Sequence, residues 1–297
     1  MTNGKNVILE LTLDEWKKFC VLIGLADDCD HERFIKYKRR LTRDLSPKIN
    51  AQVMAQVDKL DINVGEHPVG TCRWWEHPVF VVGGGPSLRG FDFGLLDGYD
   101  TIAINKAIFS VKDPTYFITI DYTFLRKIDK AALARTQCPK FFVANYDNSY
   151  IKDVNGAIVD TRFNLVYNLK DFDVIVKSKL SHGMGFTFSD FRNGVSSGFC
   201  GLQLAVLLGY TKIYLLGIDL SVDPAAAGGT HYHGGYGEPS DKFAGKLDRY
   251  FQEFKHGLER LQNARPDISV ISCSPNSRLN EIIKYGSLEE VFNGTRK

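Results

Sequence analysis

From residue 77 onward the chain alternates short apolar runs with helical stretches, and this alternation constrains its fold more than any other feature. HPVFVVGG, DTIAIN, TYFITID, KFFVAN, TKIYLLGID and ISVISC read as strands, and VSSGFCGLQLAVLLGY reads as a helix. Strands separated by helices pair in parallel through right-handed crossovers. The expected fold is therefore α/β, a doubly wound, mostly parallel, Rossmann-like sheet with a Gly-rich lid loop. Such sheets receive ligands at the carboxyl ends of their strands, near the point where strand order reverses. Each polar cluster below falls at such an end.

Residues 1–75 read differently, as a helical N-terminal extension to a nucleotide-binding transferase domain spanning 76–297. Leu13, Trp16, Phe19, Cys20, Ile23 and Leu25 recur at near-helical spacing, and Ser46-Pro47 opens a further helix. The basic run from Lys36 to Arg43 reads as a solvated helix face in preference to a phosphate site. The 37 basic and 35 acidic side chains nearly balance, so composition points to no nucleic-acid partner. The six cysteines have no metal-type spacing and read as reduced, buried thiols. No run approaches the roughly 18 apolar residues that a membrane span needs. With no signal segment evident either, a cytoplasmic protein is expected. A homo-oligomer is left open.

The first strand runs into VVGGGPSL. Gly83, Gly84, Gly85, Pro86 and Ser87 either make a hard turn or let a nucleotide approach the main chain. The run fits neither the dinucleotide nor the P-loop fingerprint. Asn105 and Lys106 end the second strand and Asp121 the third; Asn and Asp there are turn caps or ligand contacts. Ser197 and Gly198 open the apolar helix, where they cap it or hold a phosphate. Asp219 ends the next strand. DPAAAGGTHYHGGYG follows, a lid whose His231 suits a general base, since one imidazole suffices and titrates near working pH. A surface histidine is the bland alternative. Lastly, CSPNSRL places Ser274, Asn276 and Ser277 at a strand end, where they cap a helix over RLNEIIKYG or contact a ligand.

In this order GGGPSL, the strand-end Asn, the SG helix opening, GYTKIYLLGIDL, the HY pair and CSPNSRL resemble the bacterial lipooligosaccharide sialyltransferases that use CMP-sialic acid. The resemblance spans roughly residues 78–285, with about 125–190 unaligned. It implies transfer of a sugar from a CMP-type nucleotide sugar to a hydroxyl acceptor, such as a glycan. It also implies His231 as base and a nucleotide site at Gly83–Ser87, Asn105, Ser197 and Gly198, to which the strand-end groups Asp219, Asn276 and Ser277 would add. Where the family has a tyrosine that supports the departing phosphate stands Ser221, and Tyr232 or Tyr236 would take its place. The family's arginine ahead of the SG step has only an offset counterpart, Arg192. Asp121 is more similar to the 6-hydroxymethylpterin diphosphokinase-like proteins. That alternative implies ATP and Mg²⁺, with Asp121 and Asp219 as metal ligands. A non-catalytic nucleotide-binding protein is the third reading.

Overall fold

A computed structural model of the chain describes residues 78–145, 151–154, 157–160, 165–167, 169, 171–223, 229–233 and 240–295. The helical extension expected over 1–75 lies outside the described residues, as do Tyr236 and most of the glycine-rich loop.

Seven strands form one parallel sheet: β1 (Val79–Val82), β2 (Asp100–Ile104), β3 (Tyr116–Thr119), β4 (Lys140–Asn145), β8 (Val174–Ser178), β9 (Lys212–Leu216) and β10 (Ser269–Ser272). Their order across the sheet is β10-β9-β1-β2-β3-β4-β8. Every neighbouring pair is parallel, so the doubly wound sheet read from the sequence is the fold. Each predicted strand is present. β1 is buried at all four residues, as a central strand covered on both faces must be. Three further strands, β5 (Ile151–Val154), β6 (Ala157–Asp160) and β7 (Leu165–Tyr167), form a separate antiparallel sheet that the strand–helix pattern did not anticipate.

Five α-helices accompany the strands among the described residues: α1 (Tyr122–Lys127), α2 (Lys130–Arg135), α3 (Ser197–Leu207), α4 (Ser240–Ala264) and α5 (Leu288–Thr295). α3 is the predicted apolar helix, buried from Ser197 through Val206. It is apolar all round because it has no solvent face. Gly201 brings it onto β1 and β2, since a Cβ there would stand 2.8 Å from both Val81 and Ile104. On its other side Phe199 meets Phe254 of α4 edge-on, with ring centroids 5.4 Å apart. The opposite face of the sheet is covered by α5, where Phe292 packs on Phe80 and Tyr99. The RLNEII segment, expected to begin a helix, makes only the short 3-10 turn Arg278–Glu281. Cys138, Cys200 and Cys273 are buried free thiols. Among the described residues no helix is long and apolar enough to cross a membrane.

Candidate functional site

Strand order reverses between β1 and β9, so the loops leaving these two strands meet at the carboxyl edge of the sheet. They meet tightly. Gly83 N–H donates to Leu216 O and Gly85 N–H to Gly217 O, each at 2.8 Å. A Cβ on Gly83 would stand 2.5 Å from Gly217 O, and one on Gly85 equally close to Asp219 Oδ2. Two of the three glycines are therefore required by the neighbouring loop, and none of the three adopts a positive φ. Gly84 differs: a Cβ there would meet His231 Cδ2 at 3.0 Å and His233 Nε2 at 3.1 Å. It is the glycine of the three that lies beneath the histidines.

The continuation of that loop corrects a second expectation. Pro86–Leu88 is a single 3-10 turn with no helix behind it. Ser87 N–H, expected to face a ligand, donates to Asp219 Oδ2 at 2.7 Å, and Ser87 Oγ donates to Asp219 Oδ1 at 2.7 Å. Ser87 Oγ also lies 3.1 Å from Ser274 Oγ, which accepts from Gly217 N–H at 2.8 Å. Ser277 Oγ donates to Ile218 O at 2.7 Å and caps Leu279 N–H. Ser87, Asp219, Ser274 and Ser277 thus cross-tie the loops after β1, β9 and β10. Asp219 is 3% exposed, and a carboxylate so buried requires such partners. Asn276 of the same stretch is exposed.

Asp121 proves to be the N-cap of α1, accepting from Thr123 N–H at 2.7 Å. As a donor set for Mg²⁺, Asp121 and Asp219 do not fit. One caps a helix and the other has both oxygens on Ser87. Among the described residues no group of three or more His, Cys, Asp or Glu is gathered as a cation would require.

Asn105 stands in the left-handed region at φ 52°, and its Oδ1 accepts from Thr119 Oγ at 2.7 Å. Its amide nitrogen is the part that a ligand at this edge would meet. Ser196 caps α3 without a side-chain hydrogen bond, and no acidic residue occupies the first turn. The N-terminal N–H groups of the helix therefore carry their partial positive charge toward the crevice with no side-chain acceptor at the cap. Ser197 Oγ accepts from Ile120 N–H at 3.3 Å, and Gly198 leaves room for Ile218. Val195 just ahead of the helix and Leu220 just after Asp219 also hold positive φ, at 52° and 51°. For a β-branched side chain this is strained. Arg192 is committed elsewhere, to Asp190 and to His182 O.

The histidine segment closes over this edge. Tyr232 N–H donates to Gly84 O at 3.1 Å. The Tyr232 hydroxyl shares a 2.7 Å hydrogen bond with Ser110 Oγ, and its ring packs on Phe93. Tyr232 is thus an anchor, its hydroxyl engaged by Ser110 where the sequence suggested a phosphate-supporting role. On either side of it, His231 and His233 stack with centroids 5.0 Å apart. His231 Nδ1 lies 2.9 Å from the hydroxyl of buried Thr230, and its ring rests on Phe243 of α4. Burial, then His233, then the cation of Lys106 pull His231 down to about 4; burial and Lys106 do the same to His233. Both imidazoles are therefore neutral at pH 7. His233 as a stacking partner and Thr230 as an orienting group depend on the fold and were not legible in the sequence.

No protein-family model matches the chain, and no curated protein matches it. Among solved structures, the sialyltransferase CstII from Campylobacter jejuni in complex with the substrate analogue CMP-3FNeuAc is similar. It is 17% identical over 70% of this chain and 86% of that one, with a TM-score of 0.42. A CstII complex with a trisaccharide acceptor and CMP is 18% identical over 72% and 87%, with a TM-score of 0.41. Likeness of this degree assigns no residue, so the roles given above stand on their own geometry.

Proposed function

We propose that the chain is a nucleotide-dependent transferase that moves a sugar from a CMP-type nucleotide-sugar donor to a hydroxyl acceptor such as a glycan, with His231 as general base. The observation that carries this reading is the pair of neutral, stacked imidazoles over Gly84, at the reversal point of a doubly wound sheet. A base must be unprotonated to work, and these histidines are. With Nδ1 donating to Thr230 Oγ, Nε2 of His231 carries the lone pair that takes the acceptor proton. An imidazole held at about 4 is a weak base in the empty site. A donor phosphate placed beside it raises its basicity, so the base gains strength when the donor is in position. The nucleotide lies along the strand ends, its phosphate toward the opening of α3 and its ribose or base toward the Asn105 amide.

Calorimetric titration with CMP, CDP, UDP, GDP and ATP, each with and without Mg²⁺, tests the reading. Metal-independent binding of CMP or CDP is expected. Hydrolysis of CMP-sialic acid should fall about 10²–10⁴-fold in His231→Ala with donor affinity little changed. Binding of ATP only with Mg²⁺ would favour the diphosphokinase alternative. Nucleotide binding with no turnover of any donor would leave a binding module.

A further inference from the structure

At the ends of β2 and β3 a short chain of hydrogen bonds has a fixed direction. It starts at the Asp121 N–H, a group that can only donate, which donates to Thr119 Oγ at 3.0 Å. The threonine hydroxyl, engaged there as an acceptor, donates in turn to Asn105 Oδ1 at 2.7 Å. Thr119 is fully buried at the end of a strand whose other residues are Tyr116, Phe117 and Ile118, so its hydroxyl asks for a reason. Asn105 is partly exposed and stands at φ 52°, which asparagine accepts more readily than most residues. Direct contacts join this corner to the rest of the crevice. Ile120 N–H donates to Ser197 Oγ at the opening of α3, and Ser110, which ends the turn that Asn105 begins, holds the Tyr232 hydroxyl.

We propose that Thr119 is a positioning residue for the donor substrate: it fixes the Asn105 amide as a hydrogen-bond donor, so the part of the nucleotide that meets Asn105 is a hydrogen-bond acceptor. This rests on the function proposed above. The two ends of a carboxamide have nearly the same shape, and an unheld asparagine can offer a ligand either one. Here the oxygen is taken by Thr119, and the NH2 group remains for the ligand. An amide held this way in advance spares the cost of ordering it when the nucleotide arrives. The same logic runs through Ser197, whose Oγ accepts from Ile120 N–H and keeps its own proton to donate. With the N–H groups that open α3, this corner offers donors, which suits an acceptor-rich nucleotide. In the orientation proposed above the acceptor that Asn105 meets belongs to the nucleoside, as a base or ribose oxygen or a ring nitrogen. Asn105 touches the substrate, and Thr119 acts only through it.

Affinities for CMP and for cytidine, which lacks the phosphate, test this by calorimetry on the full chain. Thr119→Val keeps the outline of the side chain and removes the hydroxyl. It should weaken CMP roughly 5–30-fold and cytidine by a similar factor, whereas Thr119→Ser should stay within about 3-fold of the wild type. Asn105→Ala should weaken both ligands at least as much. Adding Thr119→Val to it should cost nothing further, because the threonine acts through the amide. A residue that served the fold alone would lower affinity equally in both backgrounds. Asn105→Asp still accepts from Thr119 but offers the ligand only oxygen, so it should bind no better than Asn105→Ala; it decides the matter if Thr119→Val folds poorly. A loss confined to CMP would support the positioning role with the acceptor on the phosphate. Wild-type affinity in Thr119→Val or in Asn105→Asp would overturn the assignment, as would a Thr119→Val loss that persists in full beside Asn105→Ala. A wild type that binds neither CMP nor cytidine would bring down the proposed function itself.

Discussion

On the β9 and β10 side of the crevice the polar groups answer one another. Asp219 holds Ser87 twice, Ser274 takes Gly217 N–H, and Ser277 holds Ile218 O and Leu279 N–H. On the β2 side the arrangement is the reverse. Two stacked imidazoles are kept neutral by burial, with the Lys106 cation adding to the effect, and α3 opens without a side-chain cap. In the first flank these side chains are tied to one another and to the main chain, and low dielectric strengthens such a network. The second flank instead presents partly buried, neutral imidazoles and a helix opening with no side-chain cap. Perturbed groups of this kind mark where chemistry happens. Residues that look equally functional in the sequence thus divide into scaffold and site.

Asp219→Ala offers the sharpest break of that division. It removes both acceptors from Ser87 and leaves a backbone N–H and a hydroxyl without them in a part-buried setting. A stability loss of about 2–5 kcal/mol is expected. For a folded unit of this size that lowers Tm by roughly 5–15 °C. Asp219→Asn keeps one acceptor and should lose about half as much. Thermal denaturation of the two variants decides the matter. A loss well below about 1 kcal/mol in the alanine variant, together with lost nucleotide binding, would return Asp219 to the ligand-facing groups.

The sheet was legible because each central strand carries an uninterrupted apolar run of three or four residues. A covered parallel strand has no polar face to alternate with. The same cue was present in DVIVKS, which becomes β8. So was a cue for α4, not among the elements read above, in Leu247, Phe251, Phe254, Leu258 and Leu261 at spacings of four and three. The site was less so, and for a definite reason. Gly85 needs its missing side chain because of Asp219, more than a hundred residues further along, and no local pattern encodes that neighbour. Asp121 and Asp219 are chemically identical side chains at equivalent strand ends. Only the partner each finds makes one a helix cap and the other a brace between loops. His231 stood out in the sequence as a candidate base. That His233 stacks on it and Lys106 acts on both depends on the fold.

Acid should weaken the β2 flank before the other. His231 and His233 are held at about 4 in the folded chain, against about 6.5 when unfolded. Between these values the unfolded chain binds protons that the folded chain refuses. Their contribution to stability is therefore complete above about pH 6.5 and is lost as pH falls toward about 4. Urea midpoints measured from pH 7.5 to 4.5 should fall more steeply for the wild type than for a His231→Gln/His233→Gln double variant. Equal slopes would mean that neither imidazole is kept neutral by the fold.

The smallest effect is expected at Asp121. Asp121→Ala removes the N-cap of a six-residue helix and should cost about 1 kcal/mol, while Asp121→Asn, which still accepts from Thr123 N–H, should cost a few tenths. Neither should alter CMP affinity or introduce any dependence on Mg²⁺, because the carboxylate acts on α1. If Asp121→Asn instead abolished a Mg²⁺-dependent nucleotide affinity while leaving stability intact, the charge and not the cap would be what matters there. The third strand end would then belong with the histidine flank, and phosphoryl chemistry on ATP would become the better account of the crevice.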